Sequence, residues 1–136
     1  MKKTKFLLVF LVFLGLTAFK SDQNNPCIEA GLFKVSVMYP GGQDKTFDMD
    51  YYEKSHMPMM AGFLGKNLKF YEIDKGLSGR TPKDEPPFVA ACAFYCYNVA
   101  DYNQAVSKNI DTILKDIKKY TNIQPVIFIS EIKQVK

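Results

Sequence analysis

The stretch "FVAACAFYCY", Phe88–Tyr97, decides the fold. It contains no charge, no glycine and no proline. A strand with one wet face alternates apolar and polar residues, so a strand apolar at every position is one covered on both faces. Before it comes "LSGRTPKDEPP" (77–87), a loop rich in Gly, Pro and charge with no apolar period. After it comes "NVADYNQAVSKNIDTILKDIKKY" (98–120). There Val99, Tyr102, Val106, Ile110, Ile113 and Ile117 recur with a period near 3.6, which predicts one helix with a single apolar stripe. One face of the 88–97 strand is therefore expected to meet helices.

Working outward, "LKFYEIDKG" (68–76) reads as a second strand. "LFKVSVMYP" (32–40) alternates, with Phe33, Val35, Val37 and Tyr39 on one face and Lys34, Ser36 and Met38 on the other. Between them "FDMDYYEKSHMPMMAGFLG" (47–65) reads as a helix. Asp48 is its predicted N-cap, and acidic residues crowd the first turn, where the helix dipole favours them. Pro58 lacks an N–H and is expected to kink this helix or begin a second short turn. "NIQPVIFISEI" (122–132) supplies the last strand, with Pro125 at its start. The order β-α-β-β-α-β predicts an α+β, ferredoxin-like sandwich: a four-stranded antiparallel sheet with two helices on one face. The other face has no local cover, and a second copy of the chain is its most economical partner. Two such sheets face to face make a dimeric α/β barrel, so a homodimer is expected.

The 136 residues suit one domain, predicted over residues 32–136. "MKKTK" followed by the apolar run Phe6–Leu16 has the pattern of a secretory signal, assigned to residues 1–18. The run is shorter than the roughly 20 residues that a bilayer-spanning helix needs. Residues 19–31 then read as a flexible polar spacer. Cys27 comes too late after the apolar run to be a lipidated residue. The expected location is the periplasm or cell envelope, with no stable membrane span once the signal is cleaved. Cleavage removes Lys2, Lys3 and Lys5 and lowers the formal charge from +4 to +1. The basic balance thus belongs largely to the leader, and no clustered basic face remains for nucleic acid.

Three cysteines are present. Cys92 and Cys96 are four apart in a strand, roughly 13 Å at about 3.3 Å per residue. A disulfide needs Cα atoms within about 7 Å, so these two read as small core hydrophobes. The pairing of Cys27 is left open. One histidine with scattered cysteines has no metal-ligand spacing, and no GxGxxG or P-loop signals a nucleotide site. No metal and no cofactor are expected.

The chemistry-bearing residues sit in "TFDMDYYEKSHMPMM" (46–60). His56 is the only histidine of the chain, and Tyr52 lies one helical turn before it on the same face. Tyr39 closes the first strand just ahead. A histidine with an ordinary pKa near 6.5 and two phenols suits holding a phenol or enol and moving one proton near neutral pH. The other reading of His56 is a ring that caps the helix before Pro58 and bonds a backbone carbonyl. Asp48 and Asp50 lie where the helix dipole lowers carboxyl pKa values, which suits capping better than acid–base work. Met57, Met59 and Met60 suit either an adaptable apolar pocket or core filling. The spacing of Tyr52, His56 and Pro58 predicts that the Tyr52–His56 face looks into a cavity and not into open water.

The chain resembles the EthD family of small dimeric α/β-barrel proteins. The resemblance rests on "VSVMYP", on "TFDMDYYEKSHMPMM" with its Phe-Asp, paired aromatics and His-x-Pro, on "PPFVAACAFYCYNVADYNQA", and on "ILKDIKKYTNIQP". It covers roughly residues 32–133. Lys118 and Lys119 stand where the family tends to have Pro-Asn, and Cys96 replaces an aromatic. The resemblance implies the barrel dimer and a pocket between sheet and helices. It also implies a small-molecule enzyme, such as a cofactor-independent oxidoreductase or a relative acting on a small apolar or aromatic compound by proton transfer. His56, Tyr39 and Tyr52 are the candidate catalytic residues. The alternative is a homodimer that binds such a compound without chemistry.

Overall fold

The computed structural model describes residues 28–136. The predicted signal of residues 1–18, Cys27 and most of the predicted spacer lie outside the described residues. Four strands form one antiparallel sheet: β1 Phe33–Pro40, β2 Leu68–Lys75, β3 Phe88–Cys96 and β4 Val126–Glu131. Their order is β2-β3-β1-β4, so β3 and β1 are central and β2 and β4 are edges. With the helices between β1 and β2 and between β3 and β4, this is the ferredoxin-like sandwich that the sequence order predicts.

Residues directly opposite in an antiparallel ladder share a face. Val37 therefore lies in one row with Cys92, Ile73 and Ile127, and Val35 with Phe94, Tyr71 and Ile129. This is the helix side. Val35, Val37, Tyr39, Ala90, Cys92, Phe94 and Cys96 are buried there. The other side carries Tyr95 with Lys34 and Phe70, Ala93 with Ser36 and Glu72, and Met38 with Val126. Tyr95 stacks on Phe70 and donates its hydroxyl hydrogen to Glu72, 2.8 Å away, while the Lys34 ammonium lies over its ring. Ala93 and this cluster bury the β3 centre on the open side within one chain, so that side is mixed in character and not uniformly apolar. Cys92 and Cys96 are free, buried thiols on the helix side, as their spacing predicts. Gly76 ends β2 because of a close approach: a Cβ there would stand 2.0 Å from the Phe88 carbonyl oxygen.

Asp48 caps the first helix, accepting from the Tyr51 N–H at 3.0 Å. The helix runs as α1 Met49–Tyr51, a π-helical turn Tyr52–His56, and α2 Met57–Leu64. Pro58 explains the π turn. It supplies no N–H to the carbonyl four residues back, so the ladder re-registers, with Met57 N–H bonding the Tyr52 carbonyl five residues away. The single helix predicted over 98–120 is divided into α3 Val99–Lys108 and α4 Ile110–Ile117. Asn109 divides it: its amide side chain bonds the Ala105 carbonyl at 2.8 Å, in competition with the main-chain ladder. Only part of the predicted stripe is buried, for Ile110 is 40% exposed; Leu114, outside that stripe, is 52% exposed. Beyond β4, Gly31 N–H and Ile132 N–H exchange bonds with Ile132 and Leu32 carbonyls, tying the start of the domain to its end. Among the described residues, no helix is long and apolar enough to cross a membrane.

Candidate functional site

Two loops bring the site together. Residues 120–122 follow α4 and run against residues 44–48, which precede α1. Asp48 N–H donates to the Tyr120 carbonyl (2.8 Å), Thr121 Oγ1 to the Thr46 carbonyl (2.7 Å), and Asn122 bonds Thr46 and Asp44. This clamp sets the C-terminal turn of α4 beside the π turn.

At that junction His56 Nδ1 lies 2.9 Å from Asp116 Oδ2. Both side chains are almost fully buried. The other carboxylate oxygen, Oδ1, accepts from the Tyr51 hydroxyl at 2.8 Å and from Lys119 Nζ at 3.0 Å. Burial alone would raise the Asp116 pKa, but the three donors outweigh it and hold the carboxyl below its usual range. His56 is moved below its ordinary value by burial, only partly opposed by its bond to Asp116. The pair is thus a carboxylate and a neutral imidazole. A carboxylate only accepts, so Nδ1 carries the ring hydrogen and Nε2 is left with a lone pair. Among the described residues, none bonds Nε2 and no buried side-chain nitrogen or oxygen is without a partner. Nε2 therefore keeps open space beside it.

That space is a cavity of about 80 Å³ between sheet and helices, lined by Tyr39, Tyr52, His56, Met60, Cys92 and Phe94, among others. The His56 ring stacks on Tyr52 with centroids 5.4 Å apart, and lies 4.7 Å from Tyr120. Tyr39 and Tyr120 share a hydroxyl–hydroxyl hydrogen bond of 2.9 Å. Burial pushes the Tyr39 phenol up to about 12 and those of Tyr52 and Tyr120 higher still, so all three remain hydrogen donors at any ordinary pH. Burial also raises the Cys92 thiol, beside the Tyr52 hydroxyl, to about 11, which keeps it protonated and a poor nucleophile.

The three residues singled out from sequence, His56, Tyr39 and Tyr52, are brought together on one cavity. His56 does not cap the helix with its side chain, as one reading of the sequence expected, because Asp116 takes its Nδ1 hydrogen. Its expected titration near neutral pH also moves lower, because the ring is buried. Asp48 is a cap and Asp50 pairs with Lys54 on the surface. Of the methionines, Met57 is core and Met60 lines the cavity. Sequence reasoning missed Asp116 and Tyr120. The signal for Asp116 was its place one turn after Ile113, on the buried stripe of a helix, where an acid is rare without a partner. Among the described residues, no group of three or more His, Cys, Asp or Glu side chains is arranged to hold a metal ion.

Comparison with known proteins agrees with the architecture. The chain is 40% identical to an EthD-like protein from Ralstonia eutropha JMP134, over 79% of this chain and 97% of that one, with a TM-score of 0.74. An ethyl tert-butyl ether D (EthD) family protein from Bacillus halodurans C-125 shares the fold at 18% identity, over 74% of this chain and 97% of that one, with a TM-score of 0.55. No match is found among curated proteins. The EthD domain matches residues 41–124, which span the His56 helix, β2, β3, and both Asp116 and Tyr120. The chain belongs to the EthD family.

Proposed function

We propose that this protein is an exported, homodimeric EthD-domain enzyme. It acts without a cofactor on a small, largely apolar compound carrying an enol, a phenol or a hydrogen made acidic by a neighbouring carbonyl. The observation that carries the reading is the His56–Asp116 pair, oriented so that Nε2 opens on a cavity ringed by phenols. Nε2 takes the proton: the substrate C–H or O–H bond breaks and an N–H bond forms. The resulting imidazolium stands against Asp116, and the developing oxyanion accepts hydrogen bonds from Tyr39 and Tyr52. Return of the proton from Nε2 to another atom of the substrate anion breaks the N–H bond and completes an isomerisation.

Export is supported by the basic and apolar leader, and the second copy by the open sheet face, where Phe128 is 58% exposed beside Val126. The alternative is a homodimer that binds the same compound and does no chemistry. Its specific support is that the cavity lining holds no carboxylate, lysine or second histidine to work with Nε2. The test is His56→Gln, followed by exchange of the acidic hydrogen of an enolisable ketone into deuterated water. In the parent, exchange should rise as pH increases through the lowered His56 pKa, below 6.5, and then level off. His56→Gln should abolish that rise while leaving the fold and ketone binding intact. Equal exchange in parent and variant would remove His56 as the base. Binding without exchange in either protein would favour the alternative.

A further inference from the structure

The cavity beside His56 and a larger apolar groove share one wall. The groove, about 500 Å³, lies between α4 and the start of β4. Ile113, Ile117, Pro125 and Ile127 line both spaces. On its outer side the groove is bounded by Ile110 and Leu114, the exposed apolar residues of α4. Size separates the roles of the two spaces. An engineered apolar cavity of about 150 Å³ holds one benzene ring, and the cavity at His56, at about 80 Å³, is about half that size. It accepts a head of a few non-hydrogen atoms. A pocket for a whole small ligand has at least about 300 Å³, which the groove reaches and the cavity does not.

We propose, building on the proton-transfer reading above, that the ligand is an amphiphile divided between these two spaces. Its head is an acyclic enolisable carbonyl, no larger than the C=O and its two flanking carbons, held against His56 and the phenols. Its body is an unbranched apolar chain that passes the Ile113, Ile117 and Ile127 side chains and lies in the groove against Ile110 and Leu114. The groove opens on the helix side of β4, through Ile127, whereas Phe128 and Val126 point to the open side. A partner copy on the open face therefore leaves the groove free for the chain. The small head space disfavours a ring joined directly to the carbonyl or bearing the hydroxyl, so the proposal takes the acyclic enol from the phenol-or-enol choice.

The test uses the full mature chain with 2-butanone, 2-hexanone, 2-octanone and 2-decanone, with binding measured by calorimetry. Affinity should rise about two- to fourfold with each added methylene, as apolar burial requires. Leu114→Asp and Ile110→Asn change exposed residues outside the His56 cluster. Each should flatten this increment while leaving 2-butanone binding and its hydrogen exchange unchanged. 4-Hexylphenol should bind more weakly than 2-decanone. An increment near onefold, or variants that keep the full increment, overturns the divided site while leaving the His56 chemistry standing. A 4-hexylphenol affinity equal to that of 2-decanone overturns the acyclic head. If Leu114→Asp halves the mass in light scattering and leaves the increment intact, the groove is a contact between copies and the proposal fails. If no ketone binds at any length, both the divided site and the reading beneath it fail.

Discussion

β3 and β4 are near equals in sequence and opposites in the fold. "FVAACAFYC" and "VIFISE" are both dominated by apolar residues. Yet Ala90 and every residue from Cys92 to Cys96 is buried, while Val126, Ile127, Phe128 and Ile129 are each more than 40% exposed. The difference is place in the sheet. β3 lies between β2 and β1, under α2 and α3, and its open side is closed by Ala93 and by the Phe70–Tyr95 stack. β4 is an edge, and α4 ends short of covering it, which leaves the groove above Ile127. Apolar composition thus marks a strand that needs cover without saying whether its own chain provides it. A long apolar edge left bare invites pairing with another chain, and the face at Phe128 is the one on which we propose a second copy.

The sharpest way to break this comparison is to truncate one aromatic in each strand. Phe94→Ala should cost about 3–5 kcal/mol in urea unfolding, since it removes a buried ring under Tyr71 and Tyr102. Phe128→Ala should change the stability of the single chain by about 0.5 kcal/mol or less and instead lower the mass seen by light scattering. Equal losses in the two variants would show that β4 is as much a core strand as β3.

A smaller effect is expected where the two halves meet at the site. Asp116→Asn keeps the shape but removes the carboxylate that accepts from His56, Tyr51 and Lys119. It should cost about 1–3 kcal/mol and lower the His56 pKa further, which NMR titration of the single histidine reads directly. A His56 pKa that rises in this variant would contradict the assignment of Asp116 as the ionised partner.

The pH dependence of stability should be smaller again. His56 has a folded pKa below its unfolded value, so the unfolded chain binds more protons in that window. Its contribution is fully present above about pH 6.5 and is lost as pH falls through the lowered folded pKa. Asp116 is also depressed, so its contribution is lost at more acid pH, below the ordinary carboxyl value. Urea midpoints should therefore fall on acidification, beginning just under pH 6.5, and His56→Gln should remove the first part of the fall. A parent midpoint that rises between pH 7 and pH 5 would reverse the sign.

The least disruptive change is Asp48→Ala, which deletes the cap of α1. It should cost about 1 kcal/mol without altering either strand, and so calibrates the larger losses.

Much of the architecture was legible in the sequence because it is locally encoded. Alternation in Phe33–Tyr39, the unbroken run of β3, the Asp48 cap and the 3.6-residue stripe of α3 and α4 each follow from spacing along a few residues. The same is true of His56 and Tyr52, one turn apart, and of the two cysteines that do not pair. Pro58 announced an interruption, though which one, a kink or a π turn, depended on the backbone partners of the turn around it. Asn109 had the chemistry of a helix interrupter, but whether its side chain would turn back to Ala105 is decided only once the helix packs.

Tertiary structure decided the rest, because it joins residues far apart in the chain. Asp116 lies 60 residues from His56 and Tyr120 lies 81 from Tyr39. No local period predicts such pairs, and the clamp between residues 44–48 and 120–122 creates them. The protonation states follow from the same packing: burial favours the neutral imidazole and the neutral phenols, and three converging donors favour the charged carboxylate. The sequence by itself determined which segments are strands and helices and which residue types carry chemistry. Only the folded sheet determined which apolar strand is wrapped and which is left bare, because burial depends on neighbours that the chain supplies from its far ends.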